Sequence, residues 1–190
     1  MKNEYSELEL IADFINTYDK RRRFEGDTGI DHLQKPDQLY SWLVGQQLIS
    51  KQDMISEEDL ELALKLRVGA REAIMNHDSC NDIEVCKEAL LNELAQSFHF
   101  YLVFEKGYAF HKSTETGGKK GVASLLAVIF EIKRNGLWSR LRVCSAEDCQ
   151  WVFVDRSRPG TGKWCSMKAC GNRAKNKTFR QKHKPLESNS

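Results

Sequence analysis

The stretch of sequence that decides the fold runs from residue 140 to residue 184 and reads RLRVCSAEDCQWVFVDRSRPGTGKWCSMKACGNRAKNKTFRQKHK. It holds two pairs of cysteines, each with four residues between its members, and fifteen residues separate the pairs. Two short pairs joined by a loop allow four thiolates to converge on one tetrahedral zinc ion, with no open position left for a reactive water. We therefore predict one structural zinc ion, bound by Cys144, Cys149, Cys165 and Cys170.

The loop between the two cysteine pairs is predicted to form a β-hairpin. Residues 151–155 (WVFVD) have the composition of a short strand, residues 157–160 (SRPG) form a turn signal, and residues 163–164 lead back to the third cysteine. We expect this hairpin to carry Cys149 towards Cys165. A module of forty-five residues has too small a core to fold well alone, so zinc binding is expected to supply much of its folding free energy.

After the fourth cysteine the sequence predicts a basic helix that ends before Pro185. One face of this helix carries four cations at the spacing i, i+4, i+7 and i+11: Arg173, Lys177, Arg180 and Lys184. Such a face suits contact with phosphates, and the alternative is a solvated basic helix without a partner. Asn172 is a candidate for an amide contact to a base or to the nucleic-acid backbone, or for a helix cap.

The charge of the chain is distributed unevenly. Residues 140–184 hold twelve Lys or Arg against three acids, whereas residues 1–139 hold seventeen against twenty-three. An acidic body with a basic end indicates a polyanion as partner for the basic end. No apolar run approaches the length of a membrane span, and the acidic N-terminus does not read as a signal peptide, so we expect a cytoplasmic protein. In that compartment the four cysteines are better explained as metal ligands than as disulfides.

The remainder of the chain predicts a mainly α fold with a small β component, in the α+β class. Residues 98–110 (FHFYLVFEKGYAF) are rich in aromatic and β-branched residues around Lys106-Gly107, which indicates a hairpin or a pair of short strands. Residues 116–118 (TGG) are interpreted as a connection. Helices are predicted over residues 4–18, from Pro36, and over residues 57–76 behind a Ser56 cap. A fourth helix is predicted from Asp82, with an apolar stripe formed by Ile83, Cys86, Leu90 and Leu94. Another helix is predicted from Val122 to a C-cap at Asn135-Gly136.

Several parts of the cysteine-rich stretch resemble the CGNR-type zinc finger of bacterial proteins regarded as transcription regulators. The resemblance is carried by the Arg-x-Cys of residues 142–144, by residues 153–157 (FVDRS), by residues 164–167 (WCSM) and by residues 170–173 (CGNR). The chain departs from the family at residues 162–163, where members often carry two basic residues and this chain has Gly-Lys. The resemblance implies that the finger binds DNA.

In that family the finger follows an ABATE domain, a mostly helical region regarded as a sensor of stress or of a ligand. Residues 13–17 (DFINT), 39–43 (LYSWL), 63–67 (ALKLR) and 71–73 (REA) resemble this domain. The resemblance implies an ABATE-like regulatory domain over residues 1–139, a finger over residues 140–184 and a tail over residues 185–190. Three polar residues of the first domain are candidates for a small-molecule pocket, or for local backbone hydrogen bonds: Asn16, Thr17 and Arg71.

These observations favour a DNA-binding transcription regulator whose first domain senses a ligand or forms a homodimer. One alternative is an RNA-binding module, with residues such as Trp151, Phe153 or Trp164 as stacking platforms beside the basic face. A second is a protein-interaction adaptor in which zinc is purely structural. The sequence contains no nucleophile–base pair, open metal site or phosphate loop, so we expect no enzyme activity.

Overall fold

The computed structural model describes residues 5–77 and 88–183, and all structural statements below refer to these ranges. The helices are α1 (Ser6–Asn16), α2 (Pro36–Gly45), α3 (Glu57–His77), α4 (Ala89–Gln96), α5 (Gly117–Arg134) and α6 (Asn172–Lys182). The strands are β1 (Tyr18–Asp19), β2 (Ile30–Asp31), β3 (Phe100–Glu105), β4 (Tyr108–Ser113), β5 (Leu141–Val143) and β6 (Val152–Val154). Consecutive strands pair into three antiparallel two-stranded sheets. The predicted fold class is therefore confirmed.

Some sequence predictions fall outside the described residues. They concern the helix start at Asp82 with its apolar residues Ile83 and Cys86, the phosphate contact at Lys184, and the tail of residues 185–190. The described part of the predicted fourth helix is α4, on which Leu94 is buried.

The ends of two long helices follow the local signals in the sequence. Ser56 caps α3 reciprocally, because its Oγ accepts from the Asp59 N–H at 3.1 Å and its own N–H donates to the Asp59 carboxylate at 2.8 Å. At the end of α5, Gly136 takes a φ of +69°, and the Leu137 N–H donates to the carbonyl of Ile132 at 3.0 Å. This is the left-handed helix end that the Asn-Gly sequence predicts.

The start of α5 differs from the prediction, because residues 116–118 are not only a connection: the helix begins at Gly117. A Cβ at Gly117 would lie 2.8 Å from the backbone oxygen of Met54, and a Cβ at Gly118 would lie 2.6 Å from Ile55 Cδ1. The two glycines therefore let the first turn of α5 pack directly against the segment before α3, where a larger residue would clash.

The hairpin of β3 and β4 forms as predicted. Its turn is Lys106-Gly107, with φ values of +52° and +82°, and Glu105 pairs with Tyr108 across it. Two left-handed residues at a two-residue turn are typical of the type I′ hairpin, whose twist matches that of the strands.

The core of the described chain is formed by α1, α3 and α5, which bury apolar residues such as Phe14, Leu66 and Leu125 completely. Leu141 of β5 and Val152 of β6 belong to the same cluster, so the first hairpin of the cysteine-rich region packs on the helical core. A second, smaller cluster surrounds the cysteines. None of the described helices is long and apolar enough to cross a membrane.

Candidate metal centre and nucleic-acid interface

The four cysteines of the finger come together in one cluster. Their Sγ atoms all lie within 4.8 Å of one another, with 3.6 Å between Cys149 and Cys165 and 3.7 Å between Cys165 and Cys170. Zn–S bonds of about 2.3 Å in a tetrahedron place the sulfurs about 3.8 Å apart, whereas a disulfide brings them to about 2.05 Å. The donor set and its spacing therefore fit one zinc ion, with Cys144 as the fourth thiol.

The first cysteine pair lies at the tip of the β5–β6 hairpin. The N–H of Cys144 donates to the Trp151 carbonyl at 2.9 Å, and the N–H of Cys149 donates to the Ala146 carbonyl at 2.9 Å. The partner of β6 differs from the prediction: β6 pairs with β5, which precedes the first cysteine, and not with the segment around Lys163. The pairing is favoured because both strands contribute apolar residues to the helical core.

The second cysteine pair lies at the start of α6. A π-helical turn, Met167–Gly171, follows Cys165 and continues directly into the helix. Ser166 holds this turn, since its carbonyl accepts from the Gly171 N–H at 3.0 Å and its Oγ accepts from the Ala169 N–H at 3.4 Å. The orientation of α6 is thereby tied to the position of Cys170.

The loop between the pairs is fixed by Asp155, which is buried. Its carboxylate accepts from the Ser157 N–H at 2.9 Å and from the Gly162 N–H at 2.6 Å. Burial tends to raise the pKa of Asp155, but these backbone donors lower it below its usual value. A Cβ on Gly162 would lie 2.9 Å from the carboxylate carbon, so a larger residue at this position would have to displace the Asp155 side chain.

Burial and one arginine shift the pKa values of three thiols, those of Cys149, Cys165 and Cys170. Burial raises the pKa of Cys149 to about 11 and raises that of Cys165 as well. Burial acts in the same direction on Cys170, but its hydrogen bond with Arg173 brings the pKa below the ordinary value. Since zinc binds thiolates, zinc binding at neutral pH must displace protons from this site.

Asn16 joins the helical core to the finger. Its Nδ2 donates to the Val152 carbonyl at 2.7 Å, and its Oδ1 accepts from the Val152 N–H at 3.0 Å. The N–H and the carbonyl of Val152 lie at the outer edge of β6. The side-chain amide of Asn16 therefore covers that edge.

Arg71 makes a second link between the two regions. Its guanidinium donates to the carbonyls of Gln150 at 2.7 Å, Ile15 at 3.0 Å and Tyr18 at 3.1 Å, and burial lowers its pKa to about 10. Thr17 is buried nearby and bonds to the Phe14 carbonyl at 2.6 Å. The side chains of Asn16, Thr17 and Arg71 therefore form these hydrogen bonds with groups of the protein itself. Ligand binding by these three residues stays a prediction.

The basic run of residues 20–23 also contacts the finger, which the sequence did not indicate. The N–H of Arg22 donates to the Asp148 carbonyl at 2.8 Å, and its guanidinium donates to the Glu147 carbonyl at 2.7 Å. The guanidinium of Arg21 stacks on the Trp151 ring at 4.2 Å. The turn between the first two cysteines is thus held from outside by the basic run.

Helix α6 carries the predicted basic face. Lys177 and Arg180 are exposed on it, and the sequence of the helix contains no acidic residue. Arg173 is exposed but engaged, because its guanidinium pairs with Asp148 and donates to the Cys170 sulfur at 3.2 Å. The amide of Asn172 donates to the carbonyl of Lys168 at 3.4 Å, within the helix start.

Comparisons with known proteins agree with this architecture. Residues 8–127 match the model of the ABATE family, described as "Putative stress-induced transcription regulator", and residues 140–183 match the CGNR zinc finger. The first match covers more than half of the chain, so the chain belongs to the ABATE family and ends in a CGNR zinc finger. No curated protein matches it. The protein is therefore a zinc-binding member of a regulatory family, with one zinc ion.

Proposed function

We propose that the protein is a transcription regulator that binds DNA through its zinc finger. The observation that carries this proposal is α6: an acid-free helix with exposed cations that begins two residues after Cys170, the last cysteine of the cluster. Phosphate contacts supply most of the non-specific affinity of such surfaces and make it fall steeply with salt.

Within this surface we assign the phosphate contacts to Lys177 and Arg180. Both project from the same face of α6, and neither has a salt-bridge partner among the described residues. Arg173 opens the same face beside the zinc cluster, Asn172 precedes it at the start of the helix as a candidate contact, and Lys184 extends the pattern beyond the described residues. The zinc ion bound by Cys144, Cys149, Cys165 and Cys170 would fix the direction of this helix.

We further propose that residues 1–139 form the regulatory domain, residues 140–184 the finger and residues 185–190 a tail, in a cytoplasmic protein. The regulatory domain contacts the finger through Asn16, Arg71 and the basic run. A change in the packing of α1 or α3 would therefore reach the first cysteine pair.

A small-molecule effector of that domain and a homodimer are part of this proposal. One cavity of about 390 Å³ lies between α4, α5 and the β3–β4 hairpin and offers an apolar space for an effector.

One observation supports RNA binding as a second candidate. Phe179 lies on α6 beside the basic face, is 62% exposed and stacks on His183 with 4.1 Å between the ring centroids. An exposed aromatic next to cations is typical of surfaces that stack single-stranded bases. The aromatic residues of the zinc module are less available, since Trp151 and Trp164 pack against the cysteine cluster.

The test is the binding of the zinc-loaded chain to random duplex DNA and to single-stranded RNA of equal length, followed by fluorescence anisotropy. DNA binding predicts tighter association with the duplex and little effect of Phe179→Ala. Tighter binding to the RNA, lost in Phe179→Ala, would replace the proposal by the second candidate. Failure to bind either at low salt would refute both and leave the adaptor alternative.

A further inference from the structure

A zinc ion with four thiolate ligands carries a net charge of −2. Three of the four cysteines are buried here, so this charge is separated from bulk water on most sides. Removing charge from water is costly unless oppositely charged groups and hydrogen-bond donors lie close to it. Groups around the ligands commonly fix their orientation and tune the affinity for the metal.

Arg173 is the first such group. It follows Cys170 by three residues, and its Nη2 donates to the Cys170 sulfur at 3.2 Å. The same guanidinium pairs with the carboxylate of Asp148, which lies in the turn of the first cysteine pair. Arg173 therefore connects the second cysteine pair with the first, across the cluster.

Arg21 is the second group, and it comes from the other end of the sequence. It lines a cavity of about 700 Å³ together with Cys149, Cys165 and Arg173. Its guanidinium is held by two hydrogen bonds to the Asp19 carboxylate, at 2.8 and 2.7 Å, and by its stacking on the ring of Trp151. These contacts hold its positive charge beside Cys149 and Cys165, in the same cavity that Arg173 lines.

We propose that Arg173 and Arg21 are positioning residues of the zinc site, which balance the charge of the zinc–thiolate cluster and orient its ligands. The ABATE domain thereby completes the metal centre of the finger through Arg21. The main role of Arg173 is then the retention of zinc. Variants of Arg173 bind nucleic acid more weakly only to the extent that they lose zinc. The proposal goes beyond the proposed DNA binding and does not depend on it, because it concerns zinc retention.

The geometry explains why arginine is required at residue 173. A guanidinium presents several N–H donors in a planar fork, so it can bond the sulfur and the carboxylate together. A lysine ammonium keeps the charge but lacks this fork. Arg173→Lys is therefore expected to restore part of the zinc affinity that Arg173→Gln loses.

The experiment measures zinc transfer from the full zinc-loaded chain to a colorimetric chelator. Arg173→Gln and Arg21→Gln are each expected to weaken zinc binding by about 10- to 100-fold, as is typical of groups that support metal ligands. The matched control is Lys175→Gln, which removes one exposed positive charge from the same helix and should leave zinc affinity unchanged. Circular dichroism checks that each variant keeps its helices.

A second readout separates positioning from simple stability. In the cobalt-substituted protein, loss of the N–H···S hydrogen bond at Cys170 should shift the thiolate-to-metal charge-transfer band in Arg173→Gln, and the band should stay in place in Lys175→Gln. The proposal is overturned if Arg173→Gln and Lys175→Gln retain zinc equally, or if both give the same band. It is also overturned for Arg21 if Arg21→Gln retains zinc like the wild type.

Discussion

The contact between Asn16 and Val152 predicts a large loss of stability in Asn16→Ala. Asn16 is 6% exposed, and the change removes two hydrogen bonds at about 1 kcal/mol each. It also leaves the N–H and the carbonyl of Val152 without a protein partner at the edge of β6, which adds a penalty of about 1 kcal/mol or more. We expect a total of about 3 kcal/mol, or about 6–12 °C in melting temperature for a chain of this size.

The assay is thermal unfolding followed by circular dichroism at a fixed concentration of free zinc, because zinc binding itself stabilises the folded state. The matched control is Asn172→Ala. It also removes an asparagine amide, but one that is exposed and makes a single 3.4 Å contact, so its effect should stay within about 0.5 kcal/mol. Equal melting temperatures for the two variants would show that Asn16 does not hold the finger against α1, and the reasoning would fail.

Further changes test other parts of the structure. Cys165→Ser should abolish stoichiometric zinc binding in metal analysis and reduce the ellipticity of α6, while the helices of the core remain; zinc retained at one ion per chain would contradict the ligand assignment. Gly162→Ala should destabilise the chain by about 1–3 kcal/mol in urea unfolding, because its Cβ would displace the Asp155 carboxylate; an unchanged midpoint would show that the loop adapts freely. Burial tends to raise the pKa of the Asp31 carboxyl, but its ion pair with Arg67 lowers this pKa below its usual value. The ionised carboxylate therefore stabilises the fold at pH values above its unfolded pKa, and this stabilisation is lost as the pH falls through its folded pKa. Asp31→Asn should therefore flatten the acid limb of a stability–pH curve, and an unaltered limb would exclude this contribution.

The parts of the fold that sequence could predict are those that depend on neighbours along the chain. The cysteine pairs, the Ser56 cap and the Lys106-Gly107 turn each involve residues only a few positions apart. Their geometry follows from local backbone chemistry, so the residue types at short spacing are sufficient to indicate it. The basic face of α6 follows in the same way from helical periodicity.

The links between the two regions could not be predicted, because they join residues far apart in the sequence. Asn16 and Val152 are separated by 136 positions, and Arg71 and Gln150 by 79. A buried asparagine or arginine needs hydrogen-bond partners, but its sequence neighbourhood does not say which backbone supplies them. The same holds for the partner of β6, which was decided by the apolar residues that β5 and β6 add to the core.

The most direct test of the central claim, that α6 of the zinc-bound finger contacts DNA, is the salt dependence of duplex binding. In the double variant Lys177→Gln/Arg180→Gln the slope of log K against log salt concentration should become shallower by about 1.8, or about 0.9 for each lost phosphate contact. The control is Lys51→Gln/Lys65→Gln, which removes two exposed lysines from the ABATE domain and should keep the wild-type slope. Equal slopes for the two double variants, with zinc retained in both, would contradict the claim.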